Sequence, residues 1–279
     1  MLLGCDFSSS PTRAKPIVLA TGTSKDGRVT LANIQPLASL DSFQTWLCQN
    51  PHWLGAFDFP FGLPRELVEH LGWPTHWPAL MAHYAALDRA EIRETFAAFC
   101  DARPVGGKFA HRATDKPAGS SPSMKWVNPP VAYMLHAGVP CLLAAGAHLP
   151  GLHNSDSTRV ALEGYPGLLA RDVLGSRSYK SDDKAKQTPD RLIARKDVIH
   201  ALEMGHKMGS KLVGNRLQLR HKLTHAQRDA LADDPKGDSL DAVLCLMQAA
   251  WAQAQHDAGV PHYGLPAAVD PLEGWIITA

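Results

Sequence analysis

The chain has almost no net charge, no close pair of cysteines and no long apolar run, and each absence removes a class of function. Twenty-eight Lys and Arg against 27 Asp and Glu leave a formal charge of +1 over 279 residues. No whole-chain field therefore gathers polyanions, and affinity for nucleic acid has to come from a local patch. The five cysteines (Cys5, Cys48, Cys100, Cys141 and Cys245) are scattered. That spacing excludes a disulfide framework and a cysteine-rich zinc centre, and it fits a reducing, cytoplasmic setting. The longest apolar stretch, residues 139–149, is interrupted by Pro140, Gly146 and His148 and is too short to span a bilayer. The signatures G-x-x-x-x-G-K-[ST], G-x-G-x-x-G, G-x-S-x-G and H-E-x-x-H are all missing. P-loop, dinucleotide, serine-hydrolase-elbow and zincin chemistry lose their support with them. His221 and His225, four apart, and His200 and His206 read as surface or nucleic-acid-facing residues. There is no internal repeat and no low-complexity tract.

What is present is the pattern of a mixed-sheet α/β protein. Residues 2–6, 16–21 and 28–34 read as a three-stranded meander, with Ser8-Ser9-Ser10-Pro11-Thr12 and Lys25-Asp26-Gly27 as its turns. Asp41 is placed to cap a helix over 42–49 carrying Phe43, Trp46 and Leu47 on one face, and residues 54–57 form a buried strand. Residues 79–100 read as a helical stretch, 101–130 as a long loop, 131–137 as a short helix, and 140–145 as a buried strand or helix. A strand over 159–162, a helix over 167–174, a long helix from Asp238 to about His256 and a C-terminal edge strand at 274–277 complete the reading. The chain is expected to be one domain with a loop-rich insertion at about 65–155.

Four stretches deliver carboxylates to strand ends or helix starts: Leu3-Gly4-Cys5-Asp6, Ala56-Phe57-Asp58, Ala161-Leu162-Glu163, and Gly237-Asp238-Ser239-Leu240-Asp241. An acid ending an apolar strand is poorly placed for the core, where an unpaired charge is expensive. Several such acids brought together repel one another unless a divalent cation lies between them. Each also has a plainer reading. Asp6 suits an Asx-turn with the serines, and Asp58 suits a turn or helix cap before Pro64. Glu163 suits a surface salt bridge, and Asp238 a helix N-cap. Capping explains Asp241 less well, because it lies one turn in.

The serial order of these pieces resembles the ribonuclease H-like superfamily, and within it the branch of RuvC-type Holliday-junction resolvases and their YqgF-like relatives. The chain is most similar to the family described as domain of unknown function 429, a predicted nuclease family. The stretches that carry the likeness are Leu3-Gly4-Cys5-Asp6, Phe57-Asp58-Phe59-Pro60-Phe61-Gly62, Glu163-Gly164-Tyr165-Pro166, Asp238-Ser239-Leu240-Asp241-Ala242 and Glu273-Gly274-Trp275-Ile276. The resemblance implies Mg²⁺- or Mn²⁺-dependent phosphodiester hydrolysis with two ions about 4 Å apart. Asp6, Asp58, Asp238 and Asp241 would hold them, with Asp6 bridging both, and Glu163 would be a further catalytic candidate. The resolvase branch usually carries Glu where Asp58 stands, and Glu163 has no secure counterpart there.

Nucleic acid is the partner this implies. Residues 176–222 hold twelve Lys and Arg against five Asp and Glu, a local +7, and residues 101–130 hold +3, which is the charge a phosphate backbone requires. Lys180 is one candidate for stabilising developing charge. The bland reading of the basic stretch is a solvated helical surface. Two rival functions stand beside the nuclease: a phosphotransferase or nucleotide-binding protein of the actin-like kind, and a nucleic-acid-binding module that turns over nothing.

Overall fold

A computed structural model of the chain describes residues 1–155, 158–205 and 216–279. Its strands are β1 (Leu2–Asp6), β2 (Ile17–Lys25), β3 (Arg28–Leu37), β4 (Trp53–Phe57), β5 (Arg159–Glu163) and β6 (Arg220–Lys222). They form one mixed sheet in the order β5-β4-β1-β2-β3-β6. β1, β2 and β3 run antiparallel as the expected meander, while β4 lies parallel to β1, β5 parallel to β4, and β6 parallel to β3. The helices are α1 (Leu40–Gln49), α2 (Arg65–His70), α3 (Trp77–Ala86), α4 (Arg89–Asp101), α5 (Asp115–Ala118), α6 (Val131–Ala144), α7 (Pro166–Leu174), α8 (Pro189–Met204), α9 (His225–Ala232) and α10 (Asp238–Asp257). No helix among the described residues is long and apolar enough to cross a membrane.

Strand parity divides the core. Successive side chains of a strand point to opposite faces, so Leu3 and Cys5 of β1 join Phe43 and Leu47 of α1 and the helices between β4 and β5 in one apolar layer. Leu2 of β1, Val18 and Ala20 of β2 and Ala56 of β4 face the other way, onto α10. The closest approach of α10 is over Gly4, where a β-carbon would drive into the backbone of Ala242 and Leu246. This seat sets the height of the first turn of α10 against the end of β1. Gly4→Ala is therefore expected to destabilise the fold by about 3 kcal/mol, read as a lower midpoint in urea with an unchanged denaturant slope.

Several local expectations change. Ser39, not Asp41, caps α1, through a reciprocal box with Ser42, and Asp41 lies in the first turn. The helical stretch 79–100 is two helices, because Asp88 accepts from the Ala90 and Glu91 N–H groups and starts α4 afresh. The short helix at 131–137 continues through Pro140 to Ala144 as α6. The expected loop-rich insertion carries α2 to α6, and Arg112, Thr114, Asp115 and Ser123 of the 101–130 segment are buried. The C-terminal stretch meets the sheet at one isolated parallel bridge, Glu163 with Ile276, rather than as a strand.

Candidate metal centre

Asp6 and Asp58 share a sheet edge because β1 and β4 are parallel neighbours with Gly4 opposite Ala56 and Cys5 opposite Phe57. Both acids follow those pairs in the same parity, so both face α10. The Asp58 N–H donates to the Cys5 carbonyl (2.9 Å), which extends the pairing one step beyond β4. From above, α10 contributes Asp241, fully buried one turn into the helix. One oxygen from each of Asp6, Asp58 and Asp241 lies within 4.8 Å of the other two. Three of the four acids expected to hold metal thus converge.

Asp238 stands beside this group. It is the first residue of α10, and the capping oxygen comes from Asp234, which accepts from the N–H groups of Lys236, Gly237 and Ser239 (2.9–3.2 Å). Freed from capping, Asp238 lines a cavity of about 360 Å³ with Asp6, Asp58, Ser8, Ser9 and Lys180.

Glu163 is on the other face of the sheet. In β5 it pairs with Phe57, not with Asp58, so its side chain takes the Phe57 parity. Both of its oxygens accept from the Arg112 guanidinium (2.6 and 2.7 Å), and one also accepts from the Phe61 N–H (3.0 Å). Arg112 in turn donates to Asp115 (2.9 and 3.1 Å) and to the Glu273 carbonyl (3.0 Å). Arg112, Asp115 and Glu163 are all buried. The ion pair of Glu163 is thus interior rather than superficial, and it ties the 101–130 segment to β5 and the C-terminal stretch.

The electrostatics of the three acids are those of a crowded site. Burial, then the Asp241 charge, push the Asp58 carboxyl up to about 7. The same two causes push Asp6 well above the usual carboxylate range, with Asp58 and Asp238 adding to them. Burial and Asp234 bring Asp238 up to about 6. One cation already answers this charge: Lys180 Nζ donates to one oxygen of Asp241, and the Tyr179 hydroxyl donates to the other. Burial pulls the Lys180 ammonium down, but Asp241, Tyr179 and Asp6 outweigh it and hold its pKa well above that of an ordinary lysine.

Outside Lys180, the described part of the basic segment is mostly exposed, with Lys184, Lys186, Lys196, Arg220 and Lys222 at the surface, while several of its arginines have protein partners. Arg195 is buried on the Ala232 and Tyr179 carbonyls (2.7 and 2.8 Å), Arg191 donates to the Lys180 carbonyl, Arg177 pairs with Asp197 and Arg216 with Asp172. Lys207, Lys211 and His206 lie outside the described residues. Of the +3 in residues 101–130, Arg112 is consumed in the interior and Arg103 pairs with Glu66. His221 is also not on the surface: it is buried on β6, and burial pulls its imidazole down to about 4.

Beside Lys180, the acidic cavity is lined by Lys15, in the turn after β1 and paired with Asp182 (2.9 Å), and by Lys236, in the turn before α10 and donating to the Ala14 carbonyl. Sequence reasoning missed both, and it missed Tyr179. The signal for the lysines was their nearness in the chain to Asp6 and to Asp238.

No protein-family model, no curated protein and no solved structure matches this chain.

Proposed function

We propose that this chain is a metal-dependent phosphodiesterase acting on nucleic acid, built on a ribonuclease H-like arrangement of the meander, β4 and α10. The observation that carries the reading is the convergence of Asp6, Asp58 and Asp241 within 4.8 Å. The donor set fits the group. Three carboxylates are hard oxygen ligands of the kind Mg²⁺ and Mn²⁺ take, and with Lys180 they sum to −2, the charge one divalent cation neutralises. Tyr179 and Lys180 each engage one lone pair of Asp241, and a carboxylate has about four to offer. Asp6, Asp58 and Asp241 would hold the ion, with Asp238 next to them. A bound Mg²⁺ or Mn²⁺ supplies an activated water and charge stabilisation at the phosphoryl group.

The protein's own groups then have distinct tasks. Tyr179 and Lys180 fix the rotamer of Asp241. Lys180 remains protonated at neutral pH and so acts as a fixed positive charge toward a phosphate oxygen, not as a base. Lys15, Lys236 and the hydroxyls of Ser8 and Ser9 line the adjoining cavity and suit the neighbouring phosphate and sugar. Glu163 supports this floor through Arg112 and does not touch the reacting atoms.

The raised carboxyls give the test its sign. Between the ordinary carboxylate range near 4 and the folded value near 7, Asp58 binds more protons folded than unfolded. The metal-free protein therefore gains stability from this site as pH falls through 7, and loses it as pH rises. A cation competes with those protons. Millimolar Mn²⁺ is expected to raise the melting temperature by several degrees at about pH 8 and by much less at about pH 5.5, measured by calorimetry. A labelled oligonucleotide should be cleaved in Mg²⁺ or Mn²⁺ and spared in chelator. Cleavage indifferent to chelator contradicts the reading.

A further inference from the structure

A second cavity, of about 370 Å³, adjoins the first, and the two share Asp58, Pro129, Met134 and Lys180 in their walls. Their characters differ. The first is charged: Lys15, which pairs with Asp182, stands with Lys236 and Asp238 beside Ser8 and Ser9. The second is lined by Phe59, Pro60, Val131 and Tyr165, with the hydroxyls of Ser120 and Ser121 and the mutually paired Arg112 and Glu163 on its wall. The Tyr165 ring is held in place: the Arg171 guanidinium lies over it at 5.3 Å, and its hydroxyl reaches the Gly119 carbonyl at 3.5 Å. The acids and Lys180 therefore stand at a junction with a charged, hydroxyl-lined chamber on one side and a mainly apolar one on the other.

We infer that the second cavity receives an unpaired base, so that the substrate is a nucleic acid with an unstacked nucleotide next to the scissile phosphate. This rests on the phosphodiesterase reading of the acidic site. A phosphate held against Asp58 and Lys180 leaves its neighbouring groups to enter the two chambers. In the charged chamber, Lys236, Lys180 and the Ser8 and Ser9 hydroxyls match the next phosphate and sugar. The apolar chamber matches a flat ring, and its two serine hydroxyls match the polar edge of that ring. At about 370 Å³ the chamber lies at the small end of the range of roughly 300–1,000 Å³ for ligand pockets. A base still stacked in a duplex cannot enter it, and has to leave the stack first. Single strands, frayed ends and loops meet that requirement; continuous duplex does not.

The test is fluorescence anisotropy in Ca²⁺, with three forms of one labelled 12-nucleotide oligothymidylate: single-stranded, annealed to its complement, and single-stranded with several internal bases removed. Wild-type protein is expected to bind the intact single strand at least about tenfold tighter than either other form, the scale of one lost aromatic stack. Two variants act on the chamber. Tyr165→Ala removes the ring, and Val131→Trp fills the space from a half-buried position at the start of α6. Both are expected to lose about tenfold in single-strand affinity, while Mn²⁺ binding by calorimetry stays at the wild-type value.

Equal binding of single strand and duplex, or a full-affinity Val131→Trp that is folded by circular dichroism, overturns the base-pocket inference. In that case intact Mn²⁺ binding and cleavage leave the phosphodiesterase reading standing. Loss of Mn²⁺ binding and of all oligonucleotide binding in the wild type overturns both.

Discussion

Asp6→Asn is expected to lower Mg²⁺- or Mn²⁺-dependent cleavage by about a thousandfold or more and to leave the protein folded. The substitution keeps the shape of the side chain at the end of β1 and removes one of three charges that converge within 4.8 Å. What remains, Asp58 and Asp241 against Lys180, sums to −1 and no longer matches a divalent ion. The same change is expected to stabilise the metal-free protein. Asp6 is pushed up by burial and then by Asp241, Asp58 and Asp238, so its ionised form is one the folded state disfavours, and removing a like charge relieves the site. The Mn²⁺-induced rise in melting temperature should fall sharply in the variant. Loss of activity with higher metal-free stability separates a ligand from a structural residue, which would lose both together. An Asp6→Asn protein that cleaves at the wild-type rate in the same metal sinks the proposed function.

Arg112→Met is expected to cost about 3–5 kcal/mol of stability, the largest effect of any single substitution considered for this chain. Arg112 is 2% exposed and satisfies Glu163 and Asp115 at once, at 2.6–3.1 Å. Removing it strands two buried carboxylates with a charge the interior does not tolerate. The cost should shrink on acidification, because Glu163 already sits above the ordinary carboxylate range through burial, despite Arg112, and protonates readily once the guanidinium is gone. Pairing the variant with Glu163→Gln should recover part of the loss in a double-mutant cycle. Mn²⁺ affinity should change little in either variant, since Arg112 and Glu163 bond to each other and to none of Asp6, Asp58 and Asp241, although they share a cavity wall with Asp58. An Arg112→Met protein as stable as wild type contradicts the interior ion-pair account.

The meander, the strand before Asp58 and the long helix from Asp238 were legible in the sequence because each is a local pattern: alternation with turn residues between strands, and an apolar run behind a helix start. Asp6, Asp58 and Asp241 were legible for the same reason. Asp6 and Asp58 come at the ends of apolar strands, and Asp241 comes just before the apolar run of α10, positions the core would not hold for a charge. Glu163 shows where such reading stops. As a strand-end acid it looks like Asp58, but it lies within β5 opposite Phe57, whereas Asp58 comes one residue after Phe57. One residue of register reverses the face, and register is set by sheet pairing rather than by the strand itself.

The basic segment was legible in part. Its +7 suggested a surface, and Lys184, Lys186, Lys196, Arg220 and Lys222 are exposed, yet Arg195 bonds to the Ala232 carbonyl and Arg216 to Asp172, partners 37 and 44 residues distant. Charge counts along a chain do not see such pairs. Of the lysines that line the acidic cavity, Lys180 belongs to that segment, whereas Lys15 and Lys236 lie outside it and carry no compositional signal.

The central claim is that Asp6, Asp58 and Asp241 hold a divalent cation, and a crystal grown in Mn²⁺ and measured for anomalous scattering tests it most directly. The account predicts an anomalous peak in contact with oxygens of all three carboxylates, with Lys180 still beside Asp241 or moved toward the neighbouring cavity. The contradicting result is a map with no peak there at saturating Mn²⁺, the three carboxylates in place, and Lys180 as their only counter-charge.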